Sequence, residues 1–196
     1  MKTRLFIVIA LLLFSQSDVC SQINIETSKI RVTSSLDTTI WFFYGDESGL
    51  APLVNSKNQL EIRMSVLIAP VGGFEDRVIE FDGATWKSKL IVRPFYYYDT
   101  AQKARTYILS PRKRYSFILK KLERKGLFSL PSQGELNKPS RILDGDLYSV
   151  AYKIGDKFGL LTFDNPMGYR KMYRRTKEFR KYAQIVRIFN RYFSKD

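Results

Sequence analysis

LYSVAYKIGDKFGLLTF, residues 147–163, is the stretch on which the fold turns. Gly155-Asp156 reads as a two-residue hairpin turn, because both residue types tolerate the backbone angles that tight hairpins demand. With Ile154 opposite Lys157, the register sets Tyr148 against Phe163, Val150 against Leu161 and Tyr152 against Gly159. These pairs share one face, and Gly159 leaves room there for the Tyr152 ring. The opposite face pairs Lys153 with Phe158, Ala151 with Leu160 and Ser149 with Thr162, so it is less apolar and expected to be partly wet. A lone hairpin is marginal in water, so this one needs neighbouring strands and a layer above its apolar face.

The neighbours are sought upstream. Leu60, Ile62, Met64, Val66 and Ile68 alternate with Glu61, Arg63 and Ser65, the pattern of a strand with one buried face. Shorter strand candidates are residues 23–32, 39–44, 77–82, 89–98 and 105–109, with turns at Gly72-Gly73 and Asp82-Gly83. Two aromatic runs, Trp41 to Tyr44 and Phe95 to Tyr98, put rings on both faces of their strands. They are read first as core and cross-strand packing, with a stacking surface for sugars or bases as the alternative.

Two amphipathic helices supply the second layer. In SPRKRYSFILKKLERKGLFSLP, residues 110–131, Ser110 reads as the N-cap, Pro111 as the first helical residue and Gly126 as the left-handed stop. Tyr115, Ile118, Leu119 and Leu122 form one apolar stripe, and Lys113, Lys120, Lys121 and Arg124 face away. Arg112, Lys113 and Arg114 then fill the first turn, where cations oppose the helix macrodipole. They form either a solvated basic face or an anion seat. Asn165-Pro166 opens a last helix, and Gly168 places regular winding a few residues later. Along it Phe179, Tyr182, Ala183, Val186, Phe189 and Phe193 lie on one arc, opposite Lys177, Arg180, Lys181, Arg187 and Arg191. Ile185, Ile188 and Tyr192 widen the apolar side. Docking onto the core is the first reading of this helix, and an interfacial membrane helix the second.

The net charge of +14 is concentrated on these helices. Residues 102–125 hold 9 Lys/Arg against 1 Asp/Glu, and residues 166–196 hold 10 against 2, whereas the rest of the chain beyond residue 21 is near neutral. The chain has no histidine and a single cysteine, Cys20. That excludes intramolecular disulfides and removes the usual zinc ligands and the His-based triads. The expectation is a non-enzymatic protein without metal or cofactor. Catalysis would fall to carboxylates such as Asp46 and Glu47 in the loop GDESG, read more simply as a polar turn. Asp144, Gly145 and Asp146 lack the full spacing of a calcium loop and read as another turn.

The basic head at residues 1–4, the apolar run at residues 5–14 and the polar stretch after it have the layout of a secretory signal peptide. Cleavage is expected after Ser21, which leaves residues 22–196 as one domain with no transmembrane segment and a periplasmic or extracellular destination. Lipid anchoring at Cys20 is the lesser alternative, since Asp18 and Val19 fit poorly before a lipidated cysteine.

Gly126, Leu127, Phe128, Leu130 and Pro131, followed by Asp144, Gly145 and Tyr148 and then by Asn165 and Pro166, give residues 110–192 a family likeness. This part of the chain resembles a loose family of uncharacterised secreted bacterial proteins of Gram-negative type. The resemblance implies a helix, hairpin, helix unit and an envelope location, and it carries no catalytic residue.

The expected architecture is α+β: an antiparallel sheet with two basic amphipathic helices, about 111–125 and 170–193, packed against it. The expected role is non-catalytic, with Arg112, Lys113, Arg114, Arg180, Lys181, Arg187 and Arg191 binding an anionic lipid, lipopolysaccharide or an acidic glycan. A protein partner, as for an inhibitor or an assembly subunit, is the first alternative, and a carboxylate-dependent hydrolase the second. Nucleic acid is disfavoured because no recognised motif accompanies the charge.

Overall fold

Alternation at residues 60–68 becomes the central strand of a six-stranded antiparallel sheet. The computed structural model describes residues 25, 29–32, 50–68, 73–94, 103–136 and 145–195. The expected signal peptide with Cys20, the aromatic runs at 41–44 and 95–98, the loop at 45–49 and Asp144 lie outside them. Strands β1 (Leu60–Ile68), β2 (Gly73–Phe81), β3 (Trp86–Arg93), β4 (Arg105–Ile108), β5 (Leu147–Ile154) and β6 (Lys157–Asp164) are arranged in the order β4-β3-β2-β1-β5-β6. Every neighbouring pair is antiparallel. Residues 29–32, expected to end a strand, form none; Ile30 is nonetheless buried, and the Arg31 N–H donates to the Phe128 carbonyl at 2.7 Å.

The hairpin has the register its sequence predicts, from Tyr148 opposite Phe163 to Ile154 opposite Lys157. A Cβ at Gly159 would stand 2.2 Å from Cζ of Tyr152, so only glycine fits beneath that ring. The Tyr152 hydroxyl donates to the carbonyls of Arg31 at 2.9 Å and Phe128 at 3.2 Å, and burial pushes its pKa up to about 12. At the β2–β3 turn, the Asp82 carboxylate accepts from the Thr85 hydroxyl and from the N–H groups of Thr85 and Ala84, which lowers its pKa to about 2.

Helices α1 (Tyr115–Arg124), α2 (Pro166–Met172) and α3 (Lys177–Tyr192) cover one sheet face. Leu60, Ile62, Met64, Val150, Leu161 and Phe163 from the strands meet Ile118, Leu122, Phe179, Tyr182, Val186 and Phe189 from the helices in one core. α1 begins four residues later than Pro111, with Arg114 as its N-cap, because Tyr115 is pinned to the sheet. Its ring stacks on Trp86 at 5.0 Å, and its hydroxyl lies 3.0 Å from Ser88 Oγ. Arg112, Lys113 and Arg114 therefore precede the helix rather than fill its first turn. The stop is as expected: Gly126 has φ 83°, its N–H donates to the Glu123 carbonyl, and Leu127 N–H reaches back to the Leu122 carbonyl.

The last helix is two helices. α2 starts at Pro166, under an Asn165 side chain that accepts from Gly168 N–H at 3.0 Å, and it ends at Tyr173. α3 starts after Thr176. Ile185, Ile188 and Tyr192, which widen the apolar arc, are buried against the core, so α3 docks inward. Among the described residues no helix is long and apolar enough to cross a membrane.

The second sheet face is partly wet along the hairpin, as expected, where Lys153, Phe158, Leu160 and Thr162 are half-buried, but its centre is closed to solvent. Glu61, Arg63, Ser65, Asp76, Arg93 and Ser149 on this face are all buried. Over part of it lies the 3-10 turn Leu53–Asn55, where Leu53 and Leu50 pack on Ala151, Phe158 and Leu160.

Candidate anion-binding surface

The elbow between α2 and α3 gathers cations that are dispersed in sequence. Rings set its angle: Tyr169 and Tyr173 stack at 5.9 Å, and Phe179 lies 5.2 Å from the first and 5.3 Å from the second. Because Tyr169 and Phe179 are buried, these contacts fix the two helices against each other. Arg170, Lys171 and Arg174 on one side of the elbow thereby face Arg180 and Arg187 on the other. With Met167 they line a depression of about 400 Å³. None of the five cations makes an ion pair with a described carboxylate, and the depression has no acidic lining residue.

A second depression, of about 350 Å³, lies between α1 and α3. Its lining is Lys121, Arg124, Lys125, Gln184, Arg187 and Ile188, so Arg187 belongs to both. Lys121 is held in place: its Nζ donates to the Tyr192 hydroxyl at 3.0 Å and sits 4.6 Å from the Phe117 ring centroid. That hydrogen bond, with the charges of Lys121, Arg191 and Lys113 nearby, lowers the Tyr192 pKa. Concave surfaces lined by one sign of charge concentrate the field, and guanidinium groups match phosphate or carboxylate with paired hydrogen bonds.

The seven residues singled out in the sequence do not form one cluster. Arg180 and Arg187 line the elbow depression. Lys181 stands at the α1 stop, its Nζ 3.6 Å from where a Cβ on Gly126 would lie. Arg191 lies 5.7 Å from the Tyr192 ring centroid, at the end of α3, and Lys113 is close enough to Tyr192 for its charge to act there. Arg112, Lys113 and Arg114 are exposed ahead of α1 and line neither depression. Arg170, Lys171, Arg174, Lys121, Arg124 and Lys125 line the depressions without being marked as site residues by their sequence. The dense run RKMYRR at 170–175 was the available signal, and its importance depends on the elbow that turns it toward α3.

The buried charges of the second sheet face are paired internally. Arg63 Nη2 lies 2.6 Å from Glu61 Oε1, and Arg93 Nε donates to Asp76 Oδ2 at 2.8 Å, while the Ser65 hydroxyl donates to the other Asp76 oxygen. Burial pushes Glu61 upward, but the Arg63 charge and hydrogen bonds from Ser56 and Asn58 outweigh it and leave the pKa lowered. For Asp76 burial prevails over Arg93 and leaves the pKa raised. Comparison of the chain with protein-family models, with curated proteins and with solved structures gives no match.

Proposed function

We propose that this is an exported, non-catalytic protein of the bacterial envelope, periplasmic or extracellular, that binds an anionic envelope component through its helical layer. The observation that carries this reading is the pair of adjoining depressions on the helices, lined by cations and by no carboxylate. Cations left close together without a carboxylate between them repel one another, and a bound polyanion relieves that repulsion. Lipopolysaccharide phosphates, anionic lipid headgroups and acidic glycans all supply such charge. The basic, then apolar, N-terminus supports the envelope assignment.

The test is equilibrium binding of the purified protein to vesicles containing lipopolysaccharide, compared with zwitterionic vesicles, across a salt series. Binding is expected only to the anionic vesicles, and it should weaken steeply between about 50 and 200 mM salt as the charges are screened. Equal binding to both vesicle types, or none at low salt, overturns the proposal.

A further inference from the structure

The two depressions share Arg187, and that sharing goes further than a general affinity for polyanions. Arg180 and Arg187 are seven residues apart on α3, hence on one stripe and separated by two turns, or about 10 Å along the axis. Gln184 stands between them on the same stripe and lines the second depression. Arg170 and Lys171 of α2 and Arg174 just after it line the first basin with both arginines of the stripe, and Lys121 and Arg124 of α1 and Lys125 just after it line the second with Arg187. The arrangement is two cationic basins with one guanidinium between them.

We infer that the two basins act as a single site for a molecule carrying two separated phosphate groups, one in each basin, with Arg187 bridging them. This deepens the reading above and rests on it. Two phosphates suit the paired basins better than one. Each basin has its own set of cations, so a single phosphate would leave one set unneutralised. The elbow is braced by stacked rings and Lys121 by its bond to Tyr192, so the spacing of the basins is built in before any ligand arrives. The second basin also offers the amide of Gln184 and the edge of Ile188, which suit the hydroxyls and ring carbons of a sugar. The ligand class is therefore a sugar bisphosphate whose two phosphates are held apart by the sugar. It is either free or the headgroup of a glycolipid.

The experiment measures binding of the full protein to fructose 1,6-bisphosphate, fructose 6-phosphate and inorganic pyrophosphate at one fixed ionic strength. It then repeats the measurements with Arg187→Gln. Fructose 1,6-bisphosphate is expected to bind at least tenfold more tightly than either competitor, and Arg187→Gln should abolish that preference. Pyrophosphate controls for total charge, since its two phosphorus atoms are too close to occupy both basins. Arg187 is exposed, so its replacement leaves the core intact, which an unchanged melting temperature will verify. A parallel arm uses vesicles bearing a glucosamine disaccharide lipid with two phosphates or with one. A preference for the doubly phosphorylated lipid, lost in Arg187→Gln, identifies the headgroup as the source; the same result with the free sugar alone identifies a soluble ligand. Equal binding of pyrophosphate and the bisphosphate overturns the inference, as does a preference that survives Arg187→Gln. If lipopolysaccharide vesicles bind in a salt-dependent way that Arg187→Gln leaves untouched but Arg170→Glu/Arg174→Glu/Arg180→Glu abolishes, the general reading stands and this one falls.

Discussion

Single residues carry much of the specification here, and Gly159 is the clearest case. Tyr152 is held by two carbonyls and by the edge of the Phe128 ring, 5.1 Å away, so it cannot yield to a new methyl group beneath it. Gly159→Ala should destabilise the protein by about 1–3 kcal/mol through overpacking. Denaturant unfolding will measure this, and adding Tyr152→Val should recover part of the loss by removing the obstructed ring. A loss that Tyr152→Val leaves unchanged would place the cost in the backbone instead. On the other sheet face, Ser149 Oγ is buried without a hydrogen-bond partner among the described residues, directly across from Ser65. The pairing of Ser149 with Thr162 was legible in the hairpin register, but its burial was not, because the residues that cover a face are not encoded in that face's alternation.

Elements are set by caps and breaks. The Asn165 cap works through its side chain and through its own backbone, which adopts φ 29° and ψ 60°, a conformation that asparagine and glycine accept more readily than alanine. Asn165→Ala is expected to cost about 1–2 kcal/mol, whereas Asn165→Gly should cost only a few tenths because it keeps the backbone angle. Thermal unfolding of the two variants distinguishes the contributions, and equal losses would assign the whole effect to the side-chain bond. Because α2 carries Arg170, fraying of this cap should weaken anion binding as well. The amphipathic stripes of α1 and α3 and the Gly126 stop were readable from periodicity and residue type. The start of α1 was not, since a good cap at Ser110 competes with the anchoring of Tyr115 between Trp86 and Ser88, and the tertiary contact wins. The break before α3 was likewise hidden, because residues 173–176 contain neither proline nor glycine and the bend comes from ring stacking.

At the scale of the whole molecule the charge is layered. The helices carry most of the excess positive charge on their outer faces, while the sheet buries its charges in pairs. Raising salt from about 10 to 150 mM shortens the screening length from about 30 to 8 Å, which relieves repulsion among the helical cations more than it weakens the buried pairs. The melting temperature should therefore rise with salt by a few degrees, the equivalent of about 1 kcal/mol in a domain of this size. The increase should be smaller in Arg174→Gln/Arg187→Gln. Calorimetry across the salt series provides the check, and a melting temperature that falls with salt would show that exposed ion pairs outweigh the repulsion.

The sequence by itself determined the α+β class, the hairpin register, the apolar stripes of the helices and the placement of the positive charge. All of these follow from local periodicity and from the angles that glycine, proline and asparagine permit. Only the tertiary structure decided that Glu61, Arg63, Ser65 and Asp76 lie in the interior, that the last helix bends at residues 173–176, and that Arg187 stands between two basins. Each of these depends on contacts between residues distant in the chain, where packing and pairing outweigh local preference.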